Sequence, residues 1–103
     1  MTDKWREYIL KTLVIKYCRG QRKFYTKEDF RWPVEEKFPN ECDKNLVGKD
    51  GTLKWKKDVR GRQQYMAKLD QIWLDNDVTP RCWRINPENH EVKQLITLID
   101  GLR

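Results

Sequence analysis

The stretch LKWKKDVRGRQQYMAKLDQIW, residues 53–73, decides how the rest of the chain is organised. At about 100° per residue, Trp55, Val59, Met66, Leu69 and Trp73 gather on one side of a helix, while Lys56, Lys57, Arg60, Gln64 and Lys68 occupy the other. One side seeks an apolar core and the other an anion. From Lys54 to Lys68 the six basic residues face the single Asp58, a local balance of +5 in a chain whose total is +6. The basic character is therefore concentrated on one predicted helix, which extends from about Thr52 or Trp55 to Leu74. Within it, Gly61 implies either a close approach to the backbone or a regular helix that starts nearer Asp58. Arg62 projects toward the apolar side, where an ion pair with Asp58 one turn earlier would accommodate it.

The chain has 103 residues, which suits one domain spanning residues 1–103 and burying roughly 60–65% of its unfolded surface. Charged residues make up 37%, and 12% aromatic content with five Trp argues for a packed core and against disorder. The positive excess favours polyanionic partners. Cys18, Cys42 and Cys82 are an odd set without CxxC spacing, which fits a reducing, cytoplasmic setting. With His90 they match no common zinc-ligand spacing, so neither metal nor cofactor is expected. No signal peptide or long apolar run is present, and a soluble protein away from membranes is predicted.

Around the basic helix, Trp5, Tyr8, Ile9, Leu13 and Tyr17 predict a first helix over residues 3–18 that stops at Gly20. Phe24 and Tyr25 form a short extended piece. Thr26 with Asp29 three residues on resembles a capping box and opens a short helix, which Pro33 kinks or restarts, running to Phe38. Residues 39–51 read as an irregular loop, or else Leu46-Val47 and Thr52-Leu53 pair as a small hairpin about the turn Gly48-Lys49-Asp50-Gly51. Asp75-Asn76-Asp77 ends the long helix, Arg81 to Ile85 alternates as a half-buried strand, and Asn86-Pro87-Glu88 starts a last amphipathic helix that carries Val92, Leu95, Ile96, Ile99 and Leu102 to the end of the sequence. The expected fold is mainly α with a small β element: about four helices and a short two- or three-stranded sheet.

A helix anchored by its apolar back, with cations and amides in front, is what major-groove readers present. Candidate nucleic-acid contacts are Lys54, Lys56, Lys57, Arg60, Gln63, Gln64 and Lys68, with Arg81 and Arg84 on the strand. Lys56 and Lys57 suit phosphates, whereas Arg60 and Gln64 suit base edges, because Arg pairs bidentately with guanine and Gln with adenine. Trp5, Trp55, Trp73 and Trp83 are expected in or beside the core, and Trp32 at a packed corner or, alternatively, as an exposed stacking surface for a base or partner. Enzyme chemistry finds no support: the chain spells no nucleophile elbow, phosphate-cradling glycine loop or paired metal-ligand motif, and no catalytic residue or small-molecule substrate is expected.

The pieces Tyr25-Thr26-Lys27-Glu28-Asp29-Phe30, Lys37-Phe38-Pro39-Asn40, the run from Arg60 to Leu69, and Arg81-Cys82-Trp83-Arg84-Ile85 together resemble a winged helix-turn-helix domain. They are similar to the winged-helix modules attached to some restriction endonucleases, over about two thirds of the chain. The resemblance implies binding of double-stranded DNA, in restriction-modification or transcription regulation. Two features differ from that pattern: the insert from Glu41 to Gly51 is long, and no glycine turn follows Asp75-Asn76-Asp77, so a stunted wing is expected. The competing reading is a winged-helix module for protein–protein interaction or homodimerisation, built on the amphipathic last helix or the first one.

Overall fold

The structure, a computed structural model, describes residues 3–101, so Leu102, expected on the last helix, lies outside the described residues. It is mainly helical, with α1 (Lys4–Cys18), α2 (Trp32–Lys37), α3 (Lys54–Lys68) and α4 (His90–Asp100), and a small antiparallel sheet of β1 (Ile72–Asp75) and β2 (Cys82–Ile85). A π-helical turn, Thr26–Arg31, runs directly into α2, and a 3-10 turn, Pro39–Glu41, follows it.

Local chemistry sets most of these boundaries. Asp3 caps α1 by accepting from the Arg6 N–H at 3.2 Å. Gly20, at φ 106°, ends it: its N–H reaches the Tyr17 carbonyl and the Gln21 N–H reaches that of Lys16, the paired bonds of a Schellman stop. The anticipated capping box does not close on Thr26, because each of its two side chains takes another partner. Asp29 reaches back to the Tyr25 N–H at 2.7 Å, and the Thr26 hydroxyl accepts from the Gln63 amide at 3.1 Å.

The principal correction concerns the end of the basic helix. It stops at Lys68, not Leu74, because Asp70 takes a left-handed conformation at φ 59°, with the Asp70 N–H on the Ala67 carbonyl and the Gln71 N–H on that of Met66. This is the same stop that Gly20 makes, built on an aspartate, one of the few residues with a side chain that tolerates that region. Ile72-Trp73-Leu74 is thereby freed to be a strand, paired Ile72↔Ile85, Trp73↔Arg84, Leu74↔Trp83 and Asp75↔Cys82. The hairpin loop of residues 76–81 turns without glycine and includes a cis Thr79–Pro80 bond. A full hairpin thus replaces the stunted turn. Phe24 adds one further rung, exchanging both backbone hydrogen bonds with Trp83 on the free side of β2 at 2.9 and 2.7 Å.

A second correction is smaller. The cap of α4 is Asn89, which accepts from the Val92 N–H, while Asn86 holds the preceding turn through the Glu88 N–H. Both asparagines also fasten α4 to the end of α3, donating to the carbonyls of Leu69 and Asp70 at 2.9 Å.

The core gathers Ile9, Leu13 and Val14 of α1, Phe24, Phe30 and Val34, Val59 and Met66 of α3, Ile72, Ile85 and Val92. Trp5 and Trp55 join it as expected, but Trp73 and Trp32 are 48% and 53% exposed. Trp73 lies outside because a strand alternates its side chains between faces, and the helix that would have turned it inward has already ended. Arg62 resolves its awkward position differently from the expected ion pair: it bonds the carboxylate of Asp3 at 3.2 Å and the Asp58 backbone carbonyl at 3.0 Å, and stacks 4.8 Å over Trp5. Among the described residues no helix is long and apolar enough to cross a membrane.

Candidate nucleic-acid interface

The back of α3 is fixed by Trp55, Val59, Gln63 and Met66, all buried, leaving Lys54, Arg60, Gly61, Gln64, Tyr65 and Lys68 exposed. Gly61 lies midway along this open face. A Cβ built there would meet no packed neighbour within 4 Å, and the helix runs unbroken through it from Lys54, so neither close internal packing nor a late helix start accounts for it. In such a position glycine costs up to ~1 kcal/mol relative to alanine.

The cations of the face fall into two sets. At the N-terminal end, Lys54 pairs with Asp58 at 3.1 Å and Lys57 with Asp50 at 2.8 Å. The second pair is prepared by the loop before α3. Val47 bridges Leu53, the Gly48 N–H meets the Thr52 carbonyl at 2.8 Å, Gly51 turns at φ 82°, and the Thr52 N–H orients the Asp50 carboxylate. The Lys57 ammonium sits 2.7 Å from where a Cβ on Gly48 would be, so a side chain there would displace it. The bond from Lys57, helped by the Thr52 N–H, holds the Asp50 carboxyl below the usual carboxylate range. Lys56 lies 5.8 Å over the Trp55 ring.

From Arg60 onward the surroundings change. A groove of about 730 Å³ opens between α3, the π-helical turn and the hairpin, lined by Tyr25, Thr26, Lys27, Arg31, Arg60, Gln63, Gln64, Leu74, Arg81 and Trp83 over buried Phe24. Every charged residue in this lining is a cation. Arg60, Arg31 and Arg81 make no ion pair among the described residues, and the Arg31 Nε–H is buried without an acceptor among them. Lys27 rests 5.9 Å over Trp32.

The fold therefore brings four of the sequence-predicted residues, Arg60, Gln63, Gln64 and Arg81, to one groove and adds Lys27 and Arg31, which sequence reasoning missed. The available signal was their separation by four residues, flanking Asp29 and Phe30, both of which turn inward. Lys68 is exposed at the far end of α3, outside the groove lining.

Two candidates need correction. Gln63 is 3% exposed, and its amide is committed to Thr26, so it ties α3 to the π-helical turn and does not stand outward as a base contact. Arg84 points back to the sheet, bonded to Asp75 at 2.6 Å and to the Arg22 carbonyl at 3.3 Å, with Trp73 6.0 Å away. Its guanidinium, with the Asp77 N–H, holds the Asp75 carboxyl below its usual range, and the carboxylate in turn raises Arg84.

The groove's shape depends on a buried acid. Asp29 accepts from Lys16 at 2.9 Å and Gln21 at 3.1 Å as well as from the Tyr25 N–H, which fastens the π-helical turn to the end of α1. Elsewhere, Leu10 of α1 with Leu95 and Leu98 of α4 lines a shallower groove, where Leu98 is 63% exposed. No cluster of three or more His, Cys, Asp or Glu able to hold a metal occurs among the described residues. In comparisons with protein-family models, characterised proteins and solved structures, the chain matched none.

Proposed function

We propose that the chain is a duplex-DNA-binding domain of the winged helix-turn-helix type, with α3 as its reading helix and the β1–β2 hairpin as its wing. One observation carries the reading: the groove beside the open face of α3 is lined by four cations, Lys27, Arg31, Arg60 and Arg81, and by no carboxylate. A charge run that only solvates a helix acquires acidic partners at little cost, as Lys54 and Lys57 have done, whereas unanswered guanidinium groups converging from three elements suit the regularly spaced phosphates of a nucleic acid. The element order supports the same assignment. A helix, the Phe24 rung, two further helices and a hairpin whose second strand receives that rung follow the winged-helix sequence of parts.

In this reading α3 enters the major groove, where Arg60 and Gln64 meet base edges, and Lys27, Arg31 and Arg81 bind the flanking backbone. The test is fluorescence anisotropy on a labelled mixed-sequence duplex across a salt series. Affinity falls steeply with salt, and Arg60→Ala weakens binding about tenfold or more. Duplex affinity that is absent, or indifferent to salt, contradicts the proposal. The alternative, a dimerisation or protein-interaction module, rests on the exposed Leu98 and the groove beneath it; it expects Leu98→Glu to change the oligomeric state and Arg60→Ala to change nothing.

A further inference from the structure

We infer that Gly61 is a specificity-determining contact, the point at which the backbone of α3 comes nearest to the floor of the DNA major groove. The inference rests on the duplex-binding reading and adds a residue that carries no charge and no side chain.

An interior helical glycine usually has an internal cause: a positive φ, or a neighbour packed against its Cα. Gly61 has neither, since its backbone is ordinary α-helix and a Cβ there would find open space. It lies midway between Lys54 and Lys68 and within the exposed face, with Arg60 and Gln64 beside it and Tyr65 one turn on. The feature is a dent in the middle of the one open face of the helix.

A helix with its side chains is about 10–12 Å across, and the major groove is about 12 Å wide, so the fit leaves little clearance. A side chain at the centre of the leading face would hold the axis away from the bases by about its own thickness. Arg60 is long enough to compensate. Gln64 is shorter and needs the axis to descend before its amide can reach a base edge alongside the guanidinium of Arg60. The dent supplies that descent, so the chemical class recognised is a pair of base edges read together by a guanidinium and a primary amide.

The test separates this from a structural role because alanine at an exposed helical position favours folding. Gly61→Ala and Gly61→Leu are compared with the wild type in thermal melts and in anisotropy titrations on a mixed-sequence duplex. The expected result is a rise in Tm of roughly 4–8 °C for Gly61→Ala, with duplex affinity lowered about fivefold or more and lowered further by Gly61→Leu. The slope of log affinity against log salt stays unchanged, because no phosphate contact is lost. A stabilised Gly61→Ala whose affinity, like that of Gly61→Leu, remains within about twofold of wild type overturns the inference alone. Wild-type protein without salt-dependent duplex affinity overturns the duplex reading itself, and this inference with it.

Discussion

At the N-terminal end of α3, Lys54 and Lys57 are each answered by a carboxylate, whereas from Arg60 onward the helix borders a groove whose charged residues are all cations. In sequence the two ends look alike. The difference comes from what the fold brings alongside: a tight loop carries Asp50 onto Lys57, while the π-helical turn and the hairpin bring Lys27, Arg31 and Arg81 toward Arg60. Positive charge is available to a partner only where no local acid has claimed it, so the +5 counted along the helix overstates the loop end and understates the groove end.

The largest effect is expected from loosening the groove while sparing the loop. Asp29→Ala leaves Lys16, Gln21 and the Tyr25 N–H without their shared acceptor, and a loss of about 3 kcal/mol in folding stability by denaturant unfolding is expected. A loss below about 0.5 kcal/mol would show that the π-helical turn is held by its apolar contacts alone.

Removing the acid from the loop erases the contrast between the two ends. Asp50→Asn releases Lys57, and the magnitude of the salt slope of duplex binding increases by about 0.9, one additional phosphate neutralised. Stability changes little, since the pair is exposed and screened by solvent. An unchanged slope would mean that Lys57 stays away from the duplex even when free.

The smallest effect is that of acid. The folded-state pKa values of Asp50 and Asp75 lie below their unfolded values, so their contribution to stability is present above the unfolded value near 3.9 and is lost as pH falls through the folded ones. Denaturant unfolding between pH 6 and pH 2 is expected to show this decline, with a shallower dependence in Asp75→Asn. A decline confined to pH above 5 would assign it to other groups.

The sequence carried α1, its glycine stop, the inward side of α3 and the second strand, because each depends on periodicity or on a residue with a strong local preference. The end of α3 was hidden because Asp70 occupies a left-handed position where a glycine would have advertised the stop. Once the helix is overextended, β1 disappears into it and Trp73 is assigned to the core. The site was only partly legible for a related reason. Arg60, Gln64 and Arg81 could be named from residue type, but the pairing of Lys57 depends on Asp50 being delivered by a turn that Gly48 leaves open. The withdrawal of Gln63 depends on Thr26, 37 residues away. Lys27 and Arg31 sit on a π-helical turn, where side-chain directions depart from the 3.6-residue period that pattern reading assumes.

The contrast is tested most directly by the salt slopes of four single variants measured on one duplex. Arg31→Ala and Arg81→Ala are each expected to reduce the magnitude of the log–log slope by about 0.9, and Lys54→Ala and Lys57→Ala to leave it nearly unchanged. Equal reductions from all four would contradict the division between a neutralised end of the helix and the open groove beside it; no reduction from Arg31→Ala or Arg81→Ala would remove the groove from DNA binding altogether.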